Sequence, residues 1–158
     1  MADVTHATSI APPPEDVWAA LADFGGISRW APNVDHSCLT TSQSEGAGTV
    51  RRVQVGRNAL LERVVEWEPG DRLAYAIEGL PPVLRTAVNT WTLEASQSLE
   101  GDGSATEVTL RTLVDAGAQP PRQVVARVVA RVMGKASVQM LAGLKDHLEE
   151  AQSEEVGP

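Results

Sequence analysis

The strongest constraint on the fold is a run of strand-like segments that is followed by one long helical segment. Valine, threonine and alternating polarity dominate between residues 35 and 115, which is typical of strands. Glycine- and proline-containing turn signals separate these segments, and short turns between consecutive strands indicate an antiparallel meander. The predicted strands are 35–41, 49–55, 59–67, 72–78, 85–95 and 105–115.

The chain before this meander adds one strand and two short helices. Residues 3–10 carry the β-branched residues Val4, Thr5, Thr8 and Ile10 and predict a first strand. Proline is tolerated in the first turn of a helix, and acidic side chains favour a helix N-terminus. The proline and acidic residues that begin the segment therefore predict a helix over 14–23, and residues 27–31 add one more turn before Pro32.

The C-terminal segment predicts one long amphipathic helix. No proline interrupts the chain between Pro121 and Pro158, and apolar residues recur every three or four positions, which predicts a helix of about 28 residues, roughly 42 Å long. Gly134 and Gly143 mark positions where another part of the chain packs closely. The predicted apolar stripe consists of Val125, Val129, Val132, Ala136, Met140, Leu144 and Leu148.

The same helix carries a line of basic side chains. Arg127, Arg131 and Lys135 occur at spacings of four, so they lie on one face. We interpret this line as a solvated surface. Docking to an anionic lipid surface or to a carrier protein is the alternative interpretation.

Composition excludes several classes of function. The 158 residues fit one domain, which we place at 1–150, with a flexible tail over 151–158. The net charge of −8 argues against a general nucleic-acid binder. One cysteine excludes an intramolecular disulfide, and no two of the three histidines have a metal-ligand spacing. We therefore expect no metal and no other cofactor.

No segment predicts insertion into a membrane. No apolar run approaches the ~20 residues that a membrane span needs, and the first residues lack the pattern of a signal peptide. We expect a cytoplasmic protein without an integral membrane segment, and the sequence leaves a homodimer open.

These elements together predict an α+β fold with an internal cavity. A seven-stranded antiparallel sheet has one face to cover, and a single helix with two short helical turns is the only cover available. One helix stripe cannot fill such a curved sheet completely, so a cavity between sheet and helix is expected, and cavities of this kind are mostly apolar with a few polar groups.

Four segments carry a resemblance to a known family: 10–18, 30–34, 62–75 and 91–94, with the sequences IAPPPEDVW, WAPNV, ERVVEWEPGDRLAY and WTLE. Over about residues 3–150 the chain resembles the START-like helix-grip superfamily, and within it the polyketide cyclase/dehydrase-related group called SRPBCC. The resemblance implies a seven-stranded curved antiparallel sheet wrapped around the C-terminal helix, with two short helices between strands 1 and 2. It also implies a pocket for a hydrophobic small molecule, such as a lipid or polyketide.

Strand periodicity nominates polar side chains for this pocket. The odd positions of 85–95 include Trp91 and Leu93, so this face is expected to turn inward and to bring Arg85 and Asn89 into the cavity. Tyr75 and Ile77 belong to the apolar set of 72–78.

The orientation of strand 59–67 is less constrained. The resemblance implies that Glu62 and Val64 face the cavity and that Trp67 faces outward. The residues alone leave the opposite parity open, because Leu61, Val65 and Trp67 form an equally apolar set. The complete predicted ligand-binding set is Trp30, Glu62, Val64, Tyr75, Ile77, Arg85, Asn89, Trp91, Val108, Leu110, Val129, Met133 and Met140.

Three functions fit these features. The favoured one is binding of a hydrophobic small molecule without changing it. The first alternative is a polyketide cyclase/aromatase or dehydratase, in which Glu62 or Tyr75 acts as general acid or base and Arg85 polarises a carbonyl. The second is a protein-interaction module with a degenerate pocket. The segment 79–83 is apolar and either gates the pocket or serves as a rigid connector.

Overall fold

The computed structural model describes residues 2–80, 84–97, 104–117 and 120–156, and these contain the predicted succession of elements. Residues 101–103, where Gly101 and Gly103 predict a turn, and most of the segment 79–83 lie outside the described residues. The elements are β1 (Ala2–Ile10), α1 (Pro14–Ala22), a 3₁₀ helix (Phe24–Arg29), β2 (His36–Leu39), β3 (Val50–Val55), β4 (Asn58–Glu68), β5 (Arg72–Glu78), β6 (Thr86–Gln97), β7 (Ser104–Asp115) and α2 (Pro120–Val156).

All seven strands form one antiparallel sheet in the order β1-β7-β6-β5-β4-β3-β2. Strands β2 to β7 form a meander in chain order, and the last strand, β7, pairs along its other edge with the whole length of β1. The tight turn between β3 and β4 pairs Val55 with Asn58, and this register places Arg51 opposite Glu62. The predicted α+β helix-grip architecture is confirmed.

Helix α2 lies over one side of the sheet. It packs on β1 and β7, while α1 contacts β6, β7 and α2. A Cβ atom at Gly134 would lie 3.2 Å from Val4, and one at Gly143 would overlap the carbonyl oxygen of Trp30. The two glycines therefore do mark close approaches, as the sequence predicts. Within the described residues, no helix is long and apolar enough to cross a membrane.

Helix α2 differs from the prediction in length and in its buried face. It has 37 residues instead of about 28, and it includes 151–156 of the segment assigned to a tail. Val132 belongs to the predicted apolar stripe but is 62% exposed. Met140 and Leu144 of that stripe are buried, and the buried face also includes Ala126, Ala130 and Ser137, which the stripe does not contain. Small residues allow the helix to approach β1 closely, and a search for large apolar residues does not detect such a face.

An irregularity in β4 changes which residues face inward. Glu62 and Val64 are buried, as the resemblance implies. The pairing of β4 with β5 then shifts between Val64 and Glu66. Such a bulge inserts one residue and reverses the alternation of faces. Trp67 therefore pairs with Leu73 and packs edge-on against Trp18, with ring centroids 5.2 Å apart, so the prediction that Trp67 faces outward is wrong.

Candidate functional site

A cavity of about 240 Å³ lies between the sheet and α2. Its wall is mostly aliphatic, and three polar side chains, Asn33, Glu62 and Asn89, interrupt it. Apolar walls with a few polar groups are typical of small-molecule sites. The lining residues are Ile27, Asn33, Val34, Val53, Val55, Leu60, Glu62, Ile77, Asn89, Val132, Met133, Ala136 and Met140.

Glu62 is held in a buried ion pair with Arg51. The Arg51 Nε atom donates a 2.7 Å hydrogen bond to Glu62 Oε1, and both side chains are almost fully buried. The Arg51 Nη1 atom donates to the Phe24 carbonyl oxygen at 2.9 Å. The guanidinium also lies 3.8 Å from the centre of the Phe24 ring and 4.6 Å from that of Tyr75. The two charges thus neutralise each other, as a buried pair requires, while the Arg51 Nη2 atom is buried and has no hydrogen-bond partner among the described residues.

Arg85 does not enter the cavity, although the periodicity of segment 85–95 predicts that it does. It is exposed, and it lies just before β6 begins at Thr86. Arg51, which sequence reasoning does not nominate, is the partner of Glu62 because it stands directly opposite it on the neighbouring strand. The signal was present in the sequence: the short turn at residues 56 and 57 fixes the register that brings Arg51 to Glu62.

Asn89 belongs to a hydrogen-bond chain that links three strands to α2. Its side-chain amide donates to Tyr75 Oη at 3.4 Å and accepts from Thr112 Oγ1 at 2.7 Å. Thr112 Oγ1 lies 3.3 Å from Ser137 Oγ on α2. Trp91 Nε1 also donates to Tyr75 Oη, at 3.2 Å. Asn89 therefore presents its side chain to the cavity from a fixed position.

Tyr75 lies behind the cavity wall and does not belong to its lining. Burial raises the pKa of its phenol above the ordinary value of 10.0, and the negative charge of Glu62 raises it further. The Arg51 guanidinium and the hydrogen bonds from Trp91 and Asn89 act in the opposite direction. The phenol therefore stays neutral at physiological pH and accepts hydrogen bonds from Trp91 and Asn89.

The structure separates the predicted site residues into two groups. Glu62, Ile77, Asn89, Met133 and Met140 line the cavity. The others, Arg85 apart, belong to the hydrophobic core or pack against it, outside this lining: Trp30, Val64, Tyr75, Trp91, Val108, Leu110 and Val129. Trp30 packs edge-on against Trp91, with ring centroids 5.8 Å apart.

Sequence reasoning missed one polar group of the lining altogether. Asn33 belongs to the WAPNV segment that supports the family resemblance, yet it was not nominated for the site. Its Oδ1 atom is buried and has no hydrogen-bond partner among the described residues. A buried acceptor of this kind is costly unless something donates to it. Asn33 therefore offers a hydrogen-bond acceptor to a molecule in the cavity.

The sheet, the long C-terminal helix and the cavity between them define a helix-grip protein with an internal cavity. The chain belongs to the family described as "Polyketide cyclase / dehydrase and lipid transport", whose model matches residues 1–149. No curated protein sequence matches the chain.

Solved structures share the fold over nearly the whole chain. The protein XoxI from Bacillus cereus is 17% identical with a TM-score of 0.75, and the match covers 96% of this chain and 99% of that one. The ZhuI aromatase/cyclase from Streptomyces sp. R1128 is 21% identical with a TM-score of 0.72, covering 94% and 93%. A protein from Thermobifida fusca is 26% identical with a TM-score of 0.71, covering 94% and 96%.

Proposed function

We propose that the protein binds a compact, largely apolar small molecule that carries a hydrogen-bond donor, such as a hydroxyl group. The supporting observation is the apolar cavity whose wall includes the unpartnered Oδ1 atom of Asn33. The volume of about 240 Å³ corresponds to about eight water molecules at ~30 Å³ each. This size favours a ligand of one or two rings, or a short chain, over a complete sterol or phospholipid.

Two features favour binding over catalysis. Glu62 is occupied by its ion pair with Arg51, so it is a poor general base while that pair holds. Tyr75 is outside the lining and Arg85 is exposed, so neither is in position to act on a molecule in the cavity. An interaction module with a filled core is disfavoured by the cavity itself.

Native mass spectrometry of the protein as purified is the first test. A stoichiometric apolar molecule, identified after solvent extraction, would support the proposal and define the ligand class.

A titration with the neutral fluorescent dye N-phenyl-1-naphthylamine then tests the cavity directly. Ala136 lines the cavity, whereas Ala142 is exposed on the same helix. We expect Ala136→Phe to abolish dye binding and the control Ala142→Phe to retain it; equal binding by both variants would contradict the proposal.

The role of Asn33 can be tested with two probes that differ by one hydroxyl group, 2-naphthol and naphthalene. We expect the protein to bind 2-naphthol more tightly, and Asn33→Leu to remove about fivefold of this preference, which is the value of one neutral hydrogen bond. Asn89 is less suitable for this test because Thr112 and Tyr75 depend on it for hydrogen bonds. A preference unchanged in Asn33→Leu would exclude Asn33 from the site.

A further inference from the structure

The N-terminal half of α2 presents an apolar ridge to solvent. Val124, Val128 and Val132 are 58%, 58% and 62% exposed. Their spacing of four residues places them side by side along one face of the helix. Scattered exposed apolar residues are ordinary, but a continuous strip on an uncovered helix indicates an interaction surface.

A row of cations follows this valine ridge. Arg127, Arg131 and Lys135 each come three residues after one of the valines, and all three are exposed. No described residue forms an ion pair with any of them. They line an open groove of about 460 Å³ between α2 and β1. The carboxylate in this groove, Asp3, is already bound by Arg111 at 2.6 Å. The row is therefore a local positive surface on a chain whose net charge is −8.

The valine ridge also reaches the mouth of the cavity. Val132 is both the most exposed valine of the ridge and a lining residue of the cavity, and Met133 and Ala136 continue the lining along the helix. A molecule that leaves the cavity past Val132 therefore arrives at the ridge.

We propose that the N-terminal half of α2 is a docking surface for an anionic lipid membrane. The valine ridge enters the outer region of the bilayer and the cation row contacts lipid phosphates, which is how amphipathic helices bind at such interfaces. A partner surface that offers only acidic side chains would contact the cations but leave the ridge in water, whereas a membrane accounts for both features. The route for ligand between bilayer and cavity rests on the proposed function, but the docking itself does not.

The test is sedimentation of the full chain with vesicles of phosphatidylcholine, with and without about 30% phosphatidylglycerol. We expect binding only to the anionic vesicles, and we expect it to weaken as salt rises from about 0.05 to about 0.5 M. Each basic residue near such a surface contributes about fivefold to binding. Arg131→Glu both removes and reverses a charge, so it should weaken binding tenfold or more, and Val128→Asp should do the same.

Two matched variants control for charge and for exposure. Arg52→Glu changes an exposed arginine on β3, and Val65→Asp changes a valine on β4 that is 52% exposed. Both should bind within about twofold of the unmodified protein, and circular dichroism should show all four variants folded. Absence of binding to anionic vesicles, or equal loss in the controls, would overturn the proposal. Loss with Arg131→Glu but not with Val128→Asp would also overturn it, because the cations alone would then account for vesicle binding and the valine ridge would not enter the bilayer. No ligand is added to the vesicles or to the protein. A negative result in this assay therefore bears on membrane docking alone, whereas a negative dye titration bears on the proposed ligand binding.

Discussion

The inner face of the sheet carries large apolar residues both on β6 and β7 and on β3, β4 and β5, yet protein side chains fill only the side of β6 and β7. On β6 and β7, Trp91, Val108 and Leu110 are buried against other side chains. On β3, β4 and β5, Val53, Leu60 and Ile77 border the cavity. The difference lies in the cover, because α2 packs on β1 and β7 and α1 on β6 and β7. An apolar strand face therefore indicates that it is covered, but does not indicate whether protein or ligand covers it.

The buried ion pair at the edge of the cavity provides the largest expected effect. Glu62→Gln leaves the Arg51 guanidinium buried without its counter-charge, which typically costs about 3–5 kcal/mol. The double variant Arg51→Met/Glu62→Leu removes both charges, and it should be far more stable than the single variant. Chemical denaturation measures both. If Glu62→Gln lowered the free energy of unfolding by less than about 1 kcal/mol, water in the cavity would be solvating Arg51. The tightly packed part of the sheet would then lie farther from β3 than we infer.

A pair of leucines tests the comparison directly. Leu110 is fully buried on β7, whereas Leu60 is half-buried at the cavity. We expect Leu110→Ala to lower the free energy of unfolding by about 3 kcal/mol or more, because it creates a new void. Leu60→Ala enlarges an existing space and should cost about 1 kcal/mol. Equal losses, measured by urea denaturation, would show that the cavity side is packed as tightly as the filled side.

The elements that the sequence predicts well are those whose cause is local. Strand alternation, turn glycines and the proline-free C-terminal segment are local features, and the succession and type of the elements agree with the structure. The orientation of Trp67 depends on a bulge in the pairing of β4 with β5, and the partner of Glu62 depends on the register of β3 with β4. Both are properties of strand pairs, so periodicity within one strand does not reveal them.

The candidate site shows the same limit. Five of the predicted residues line the cavity, while Val108 and Leu110 lie on a face of the same character that other side chains cover. The choice between them depends on where α2 crosses the sheet, and that position is set by the small residues Ala126, Ala130 and Gly134. A hydrophobicity pattern gives such residues little weight.

Titration of Tyr75 has the smallest expected effect on stability, but it tests most directly whether the side chain between the cavity and the packed core is shielded from water. It is the single tyrosine of the chain, so the ultraviolet absorbance of phenolate reports on it alone. Burial raises its pKa above 10.0 in the folded protein, so between 10.0 and that higher pKa the folded state holds more protons than the unfolded state. Stability is thus unaffected by this group below pH 10.0 and falls as the pH rises above it. Tyr75→Phe lacks this component, and the difference between the two proteins isolates it from the titration of lysines. If the phenol ionised at its ordinary pKa, Tyr75 would be in contact with water in the cavity. The cavity would then extend past β5, and the tightly packed side of the sheet would begin beyond that strand.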